Sequence, residues 1–403
     1  MFINPGKVPV VLKAAEVVVV VVTKIFRLAL LATVVISQAS YAVVLPEERA
    51  DALYHSYDGG GVTIDGPSIL VRKNFAETVS INANYYVDNV SSASIDVTTS
   101  GASEYTEERT EYSVGVTYLA DKSLLSAGIT RSDENDYQAD SSYLSISQDM
   151  FGDLTTISFG YARGNDTVGQ NGNDSFEETI DRQNYRFGLS QILTKNLIMG
   201  FNYENINDEG FLNNPYRNYR FLTNPLDASQ GYQLSQEVYP STRTSDAASL
   251  RLAYYLPYRA AIKAEYRYFT DDWGIKAKTY QLNYTHPIGE HWVIDLKYRT
   301  YEQTQADFYG DLFLFSSQDE KDYRARDKEL SDFDNNTIGI GVSYFFPTFT
   351  KHIEKSKVSL QWDYIDFNYN NFTNLNDESA AIGEEELYKF DANVIKFYFS
   401  IWY

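Results

Sequence analysis

Apolar and polar residues alternate with period two along most of the chain. Val79, Ile81, Ala83, Tyr85 and Val87 are interleaved with Ser80, Asn82, Asn84 and Tyr86. The same alternation runs through residues 155–161, 197–203, 248–256, 262–268, 292–298, 338–344 and 358–364. Successive side chains of a strand point to opposite faces, so each run predicts a strand with one apolar and one polar face. Each run is roughly ten residues, the length of a tilted strand that crosses a membrane. A soluble sandwich alternates in the same way, so three further features separate the two.

Aromatics close one end of the apolar faces (Tyr85, Tyr161, Tyr203, Tyr268, Tyr298, Tyr344), as an interfacial girdle does. The polar faces are rich in Gly, Ser, Asn and paired charges, which suits a watery lumen. The connections alternate between short and long. Short ones are expected at 74–77, 120–123, 149–153, 194–196, 257–259, 286–291 and 347–356. Long ones are expected at 88–110, 132–140, 164–180, 207–245, 270–274, 304–334 and 370–386. That is the plan of short periplasmic turns and long extracellular loops in an outer-membrane barrel.

Fourteen strands follow from Val79 onward, and a hairpin within 51–73, split at Asp58–Gly61, brings the total to about 16. An even count closes the sheet without an edge. If residues 51–57 plug the barrel instead, the count falls to 14. The last residues place Ile395, Phe397, Phe399, Ile401 and Tyr403 on one face. Phe397, Phe399, Ile401 and Tyr403 resemble the terminal-strand signal read by the outer-membrane assembly machinery. In water, a terminal strand this apolar is an aggregation hazard. The expected fold is therefore all-β: one transmembrane antiparallel β-barrel.

The apolar runs longer than a strand lie near the start. Lys24 and Arg27 precede the apolar stretch 28–36, and Ser40 and Ala42 fit the small-x-small rule for cleavage. Residues 1–42 read as a signal peptide with an atypical N-terminal extension, and 43–403 as one barrel domain exported by a Sec-type route. The apolar stretch is too short to span the bilayer as an anchor.

Composition sharpens this picture. The net charge is -21 over 403 residues; the first 42 carry four Lys/Arg and one Glu, leaving -24 on the remainder. So acidic a chain is not expected to bind nucleic acid, which needs a basic face. The absence of Cys removes disulfides and thiolate chemistry. Aromatics make up 15% of the residues, and they are expected mainly in the girdle.

Several stretches resemble one family. These are 58–68 (DGGGVTIDGPS), 132–140 (SDENDYQAD), 147–156 (SQDMFGDLTT), 166–174 (DTVGQNGND), 210–217 (GFLNNPYR) and 324–331 (RARDKELS). Together they resemble Gram-negative outer-membrane proteins catalogued as a domain of unknown function, number thirty-five seventy. The resemblance implies location and architecture. It brings no activity, substrate or catalytic residue with it.

Candidate chemistry is sparse. His286 and His291 flank a short turn, His352 sits in another, and His55 lies near the start; all four are expected toward the periplasmic end. A histidine pair without a third ligand makes a poor metal site, and solvent-facing turn histidines are the plainer account. No catalytic residues are assigned, and an enzyme is not expected. The loop around Asp166, Asn171, Asn173, Asp174, Glu177 and Glu178 offers oxygen ligands for Ca²⁺, or is simply a solvated acidic loop.

The sharper feature is a set of charges on the polar faces of consecutive strands. Arg251, Lys263, Glu265, Arg267, Asp295, Lys297 and Arg299 point inward if the aromatics point out, and Arg186, Asn202 and Glu204 join them. Charged rings set the selectivity of a pore. Among the first seven, five bases against two acids favour anions; alternatively the charges pair and fill the lumen. The loop 324–329 is a candidate inward constriction.

The expected role is a pore or transporter for a small polar or anionic solute. The alternatives are a scaffold for a periplasmic or surface partner and, further off, a barrel enzyme. The expected surroundings are outer-membrane lipid and lipopolysaccharide.

Overall fold

A computed structural model describes residues 44–92, 105–347, 352–376 and 380–403. The leader expected at 1–42 lies outside them. Among the described residues, 16 strands close into one barrel. The first are β1 (Arg49–Gly59), β2 (Val62–Phe75), β3 (Val79–Ser92), β4 (Tyr105–Ala120), β5 (Ser123–Asp133) and β6 (Tyr137–Met150). Next come β7 (Thr155–Val168), β8 (Glu178–Thr194) and β9 (Leu197–Gly210). A long excursion then holds a separate two-stranded sheet, β10 (Asn218–Leu222) with β11 (Tyr232–Gln236). The barrel resumes with β12 (Thr242–Tyr255), β13 (Ala261–Asp271), β14 (Lys276–Ile288) and β15 (Trp292–Gln303). It ends with β16 (Phe333–Phe346), β17 (Lys355–Thr373) and β18 (Leu387–Trp402).

Every barrel strand pairs antiparallel with its neighbours in sequence, and β9 pairs with β12 across the excursion. The ring closes where β1 meets β18, in register from Arg49↔Trp402 to Gly59↔Ala392. Residues 51–57 therefore form a wall strand and not a plug. Closure leaves the sheet without an edge, so the ladder pairs within the protein, which hydrocarbon demands.

The outer face is the apolar one. Ile81, Leu144, Leu250, Leu282, Leu296, Ile338, Ile340 and Phe397 are all exposed. At the loop end the belt stops at aromatics whose polar atoms reach one step higher. Tyr54 Oη donates to Asp65 (2.8 Å), Tyr203 Oη to Asp246 (2.6 Å) and Tyr298 Oη to Asn336 (3.2 Å). Trp362 Nε1 donates to Asn393 in the same way (3.0 Å). An amphipathic ring at a lipid boundary keeps its apolar body in lipid and its polar tip in water. At the turn end Trp292 packs on Tyr344, so Tyr344 belongs to a second girdle. On β15 the belt thus runs from Trp292 to Tyr298. Phe397, Phe399 and Ile401 lie on the outer face of β18, while the Tyr403 hydroxyl donates to the Arg72 carbonyl at the turn end (3.0 Å).

The strands are longer than the alternation implies, from 11 residues in β1 to 19 in β17. Above the girdle both faces are polar, so period two fades while the ladder continues. The loop expected at 132–140 shrinks to the three residues between Asp133 and Tyr137. The middle of the loop expected at 88–110, residues 93–104, lies outside the described residues.

An arginine on the lipid face at mid-depth is opposed by the hydrocarbon, and the cost fades near the interface. Leu296→Arg should destabilise the barrel in lipid vesicles by about 2–4 kcal/mol, against roughly 0–1 kcal/mol for Thr300→Arg, two turns of the pleat higher on the same face. Urea unfolding in vesicles measures both.

Candidate functional site

The candidate site is the lumen and the cap that closes over its loop end. Strand register settles which side chains face in. Arg186 pairs with Glu204, Glu204 with Ala247, Arg251 with Glu265, Lys263 with Asn283, Arg299 with Gln281 and Lys297 with Gly339. Pairing puts cross-strand partners on one face, and this face lies opposite the apolar belt. The nine expected lumen charges are therefore brought to one arc, β8 to β15.

Most of them are neutralised there. Arg186 contacts Glu204 at 3.0 Å, Arg267 contacts the same carboxylate at 3.7 Å, and Arg251 contacts Glu265 at 2.8 Å. Lys297 pairs with Asp363, at 2.6 Å, a carboxylate from β17 that the sequence pattern did not bring into the set. Asp295 accepts a hydrogen bond from Thr285. Among the described residues Lys263 and Arg299 form no ion pair; Arg299 lies over the Tyr301 ring at 5.6 Å. The expected cationic excess shrinks to these two groups. The far wall, β5 to β7, is uncharged at the same level, with Gly128, Thr130, Ser141, Ser145, Gly160 and Ala162 facing in.

The cap is built from the segments 211–241, 304–332 and 374–386, apart from 377–379, which lie outside the described residues. Two segments pair with each other through the backbone. Leu222 N–H donates to Phe313 O (2.9 Å), and Val238 and Arg324 exchange a pair of bonds at 3.0 and 2.9 Å. Gln303 faces the lumen, and its side-chain amide donates to the carbonyls of Glu329 (2.9 Å) and Ser331 (2.8 Å). That hydrogen bonding holds the short 3₁₀ turn Lys328–Leu330 over the lumen. The inward fold expected for 324–329 is thus present, as a packed lid.

A second apolar core stabilises the cap. Trp273, Tyr309, Tyr369 and Phe372 are buried together, flanked by Phe308, Tyr388 and Phe390. Aromatic residues are therefore divided between the girdle and this core, where the composition had suggested mainly a girdle. Period two cannot reveal such a core, because its members come from the loop ends of several strands.

Ionic contacts tie the core together. Arg220 is fully buried and donates to Asp311 and to Glu385 (2.5 Å for Nη1 to Oε1). Arg326 also reaches Asp311 (2.9 Å) and lies over Phe372 at 4.2 Å. Burial alone would raise the Asp311 carboxyl, but Arg326 and Arg220 outweigh it and hold it below the ordinary carboxylate value. Glu237 has weaker help, from Arg217 and two hydrogen bonds. It is buried, accepts the Arg326 N–H (2.7 Å) and the Tyr239 hydroxyl (2.7 Å), and stands beside Asp327. Arg217 pairs with Asp327. Burial, and then the Asp327 charge, push the Glu237 carboxyl up to about 7.

Between the lid and the wall lies a cavity of about 450 Å³, lined by Arg182, Asp208, Arg243, Arg267 and Tyr301 of the strands and by Tyr239 and Glu329 of the cap. Of the cap residues only Asp327 and Glu329 lay in a segment expected to turn inward, and of the strand residues only Arg267 was among the expected lumen charges.

Two other expectations are changed. His55 lies well up β1 and not at the turn end. Its Nε2 meets Asp88 Oδ1 at 2.7 Å, its ring stacks on Tyr86, and Arg109 holds the other Asp88 oxygen at 3.1 Å. It reaches Asp88 on β3 across Gly66 of β2, where a Cβ would lie 1.8 Å from the Val87 carbonyl oxygen. His286 and His291 are separately engaged, with Tyr284 and with the Phe345 carbonyl. The oxygen ligands expected for Ca²⁺ do not act together either. Asp166 is on β7, held by Arg182 (2.7 Å), while the Asn173 side chain bonds Gln170 and Ser175; Asn171 and Asp174 are exposed. Among the described residues no cluster of three or more His, Cys, Asp or Glu is arranged for a metal.

A family model described as "Protein of unknown function (DUF3570)" matches residues 99–186 and 177–375. No curated protein matches the sequence. Among solved structures, a bacterial polysaccharide outer membrane secretin is 9% identical, with 88% of this chain and 98% of that one covered and a TM-score of 0.49. The outer-membrane OmpT of Vibrio cholerae is 10% identical, with 91% and 100% covered and a TM-score of 0.41. The siderophore receptor PirA from Pseudomonas aeruginosa is 9% identical, with 89% and 81% covered and a TM-score of 0.40. Likeness at this level says nothing about what the barrel carries.

Arg220→Met should loosen the cap by about 3–5 kcal/mol, because it strands the buried Glu385 carboxylate and leaves Asp311 to Arg326 alone, while leaving barrel unfolding unchanged. Hydrogen exchange of segments 211–241 and 304–332 reads the cap alone. The Glu237 proton gives the cap a pH dependence. Its folded pKa lies above the ordinary value, so the folded cap holds the proton longer than the unfolded one. Cap stability is then fully present below the ordinary carboxylate range and declines as pH rises through about 7. Limited proteolysis should cut the cap faster at pH 8 than at pH 5, and Glu237→Gln should abolish the difference.

Proposed function

Because the chain belongs to the DUF3570 family, whose description assigns no activity, we propose its role from the lumen itself: passage of a small polar solute through a wet, lidded barrel. One observation carries this reading. The inward charges keep substantial access to solvent, 64% for the Arg186 side chain and 51% for Arg251. Charged groups on an inward face stay that exposed only beside water, and a barrel of 16 strands is wide enough to hold an aqueous channel. Lys263 and Arg299, without carboxylate partners among the described residues, favour an anionic or electron-rich solute mildly. The lid makes the path conditional, because a solute must pass Glu329 and Tyr239 before it meets this arc.

The wider setting belongs to the same reading. Export by the leader 1–42, placement in the outer membrane among lipopolysaccharide, and recognition of Phe397, Phe399, Ile401 and Tyr403 during assembly are all part of it. A second reading, a surface scaffold, is favoured by apolar tips on the cap: Leu226, Leu314 and Phe315 stand exposed.

Single-channel recording of the refolded protein separates the two. Passage predicts discrete currents. Lys263→Gln combined with Arg299→Gln should lower the anion-to-cation permeability ratio by roughly twofold to fivefold, as expected for charges acting through water. An unchanged reversal potential removes the selectivity claim, and the absence of any current removes passage.

A further inference from the structure

We infer that the cavity under the lid is a binding site for a net-neutral, hydroxyl-rich solute: a carbohydrate of one or two sugar units. This rests on the passage reading above and names its solute class.

Size allows it. About 450 Å³ lies within the range of small-ligand pockets and is closed on one side by the lid and on the other by the strand wall. Charge then narrows the choice. Each of the three guanidiniums lining the cavity already faces a carboxylate. Arg182 meets Asp166 at 2.7 Å and Asp208 at 3.6 Å, Arg243 meets Asp271 at 2.6 Å, and Arg267 meets Glu204 at 3.7 Å. A carboxylate or phosphate ligand would have to compete with those acids, and an ammonium with those arginines. The lining itself balances, with three guanidiniums against the carboxylates of Asp208, Asp327 and Glu329, so it carries no formal net charge toward an ion.

Hydrogen-bonding capacity, in contrast, is left over. A guanidinium carries five N–H donors. The carboxylate contact of Arg267 is longer than a hydrogen bond, and its other contact is the face of Phe269. Asp208 Oδ1 is buried and accepts no hydrogen bond. Asp208 lines the same cavity, and its 3.6 Å contact with Arg182 falls short of a hydrogen bond, so the carboxylate keeps acceptor capacity. A hydroxyl group does both things these partners need: it donates to Asp208 and accepts from Arg267. Several hydroxyls on one rigid ring do so without a net charge to desolvate. Phe269, Tyr301, Leu212 and Ile275 add apolar surface on the same cavity for the C–H faces of such a ring.

Titration of the full-length refolded protein in detergent tests this directly. The probes are glucose, maltose, phenylalanine and inorganic phosphate, read by calorimetry and by emission of Trp273, which lines the cavity. Saturable binding of glucose or maltose is expected. Asp208→Leu and Arg267→Met should each weaken it by about tenfold or more, the effect of losing one buried hydrogen-bond partner. Ser145→Ala, on the far wall, should leave it unchanged. Far-ultraviolet circular dichroism and gel mobility before and after heating establish that each variant has folded, and either cavity variant alone suffices. Failure of both sugars to bind overturns the inference, as does preferential binding of phenylalanine or phosphate. Equal sugar binding by wild type and both cavity variants overturns it too. Channel currents are recorded separately, so currents without sugar binding remove the solute class and leave passage standing.

Discussion

Everything in this molecule depends on one constraint: a backbone polar group in hydrocarbon must find its partner within the protein. The pairing of β1 with β18 meets it by joining the two ends of the described chain and removing the sheet edge. Once the sheet is closed, strand side chains have only two directions. Outward they meet lipid, which selects the Leu, Ile and Phe belt and its aromatic borders. Inward they meet water, which permits Arg186, Arg251 and Lys263. The charge of -21 is compatible with a membrane protein because closure sorts it into lumen, rim and cap.

The cap obeys different rules. It lies beyond the belt, where backbone pairs with backbone across distant segments and aromatics build a small globular core. Arg220 sits at its centre without solvent contact, so its charge must be answered on the spot by Asp311 and Glu385. A buried ion cluster of this kind fixes geometry more than it adds stability, since desolvation offsets much of the attraction. Glu237, buried and sharing Arg217 with Asp327, is where that arrangement responds to pH.

The sequence made the barrel legible because alternation is a local signal. Runs such as 292–298 state their inner and outer faces without reference to any other part of the chain, and parity supplied the strand number. The inward charges followed from the same parity. Their partners did not, because Asp363 meets Lys297 only through register across β16. The cap was illegible for the same reason: Arg220, Asp311 and Glu385 are far apart in sequence and share no period. His55 was misplaced because its height on β1 depends on where the strand begins, and the alternation near residue 50 is weak. The segment 324–329 was expected to turn inward from its charge and loop length; it does so as a lid, and the partners that hold it, Gln303 and Glu237, carry no signal in sequence.

The account stands or falls on water inside the barrel and lipid outside it. The chain has no Cys, so single cysteines report cleanly. Lys263→Cys faces the lumen on β13 and Leu252→Cys faces lipid on β12. Reaction with a charged, membrane-impermeant thiol reagent, measured on the protein in lipid vesicles, should be fast at Lys263→Cys and negligible at Leu252→Cys. Equal rates at the two positions, or protection at Lys263→Cys, would contradict a hydrated lumen.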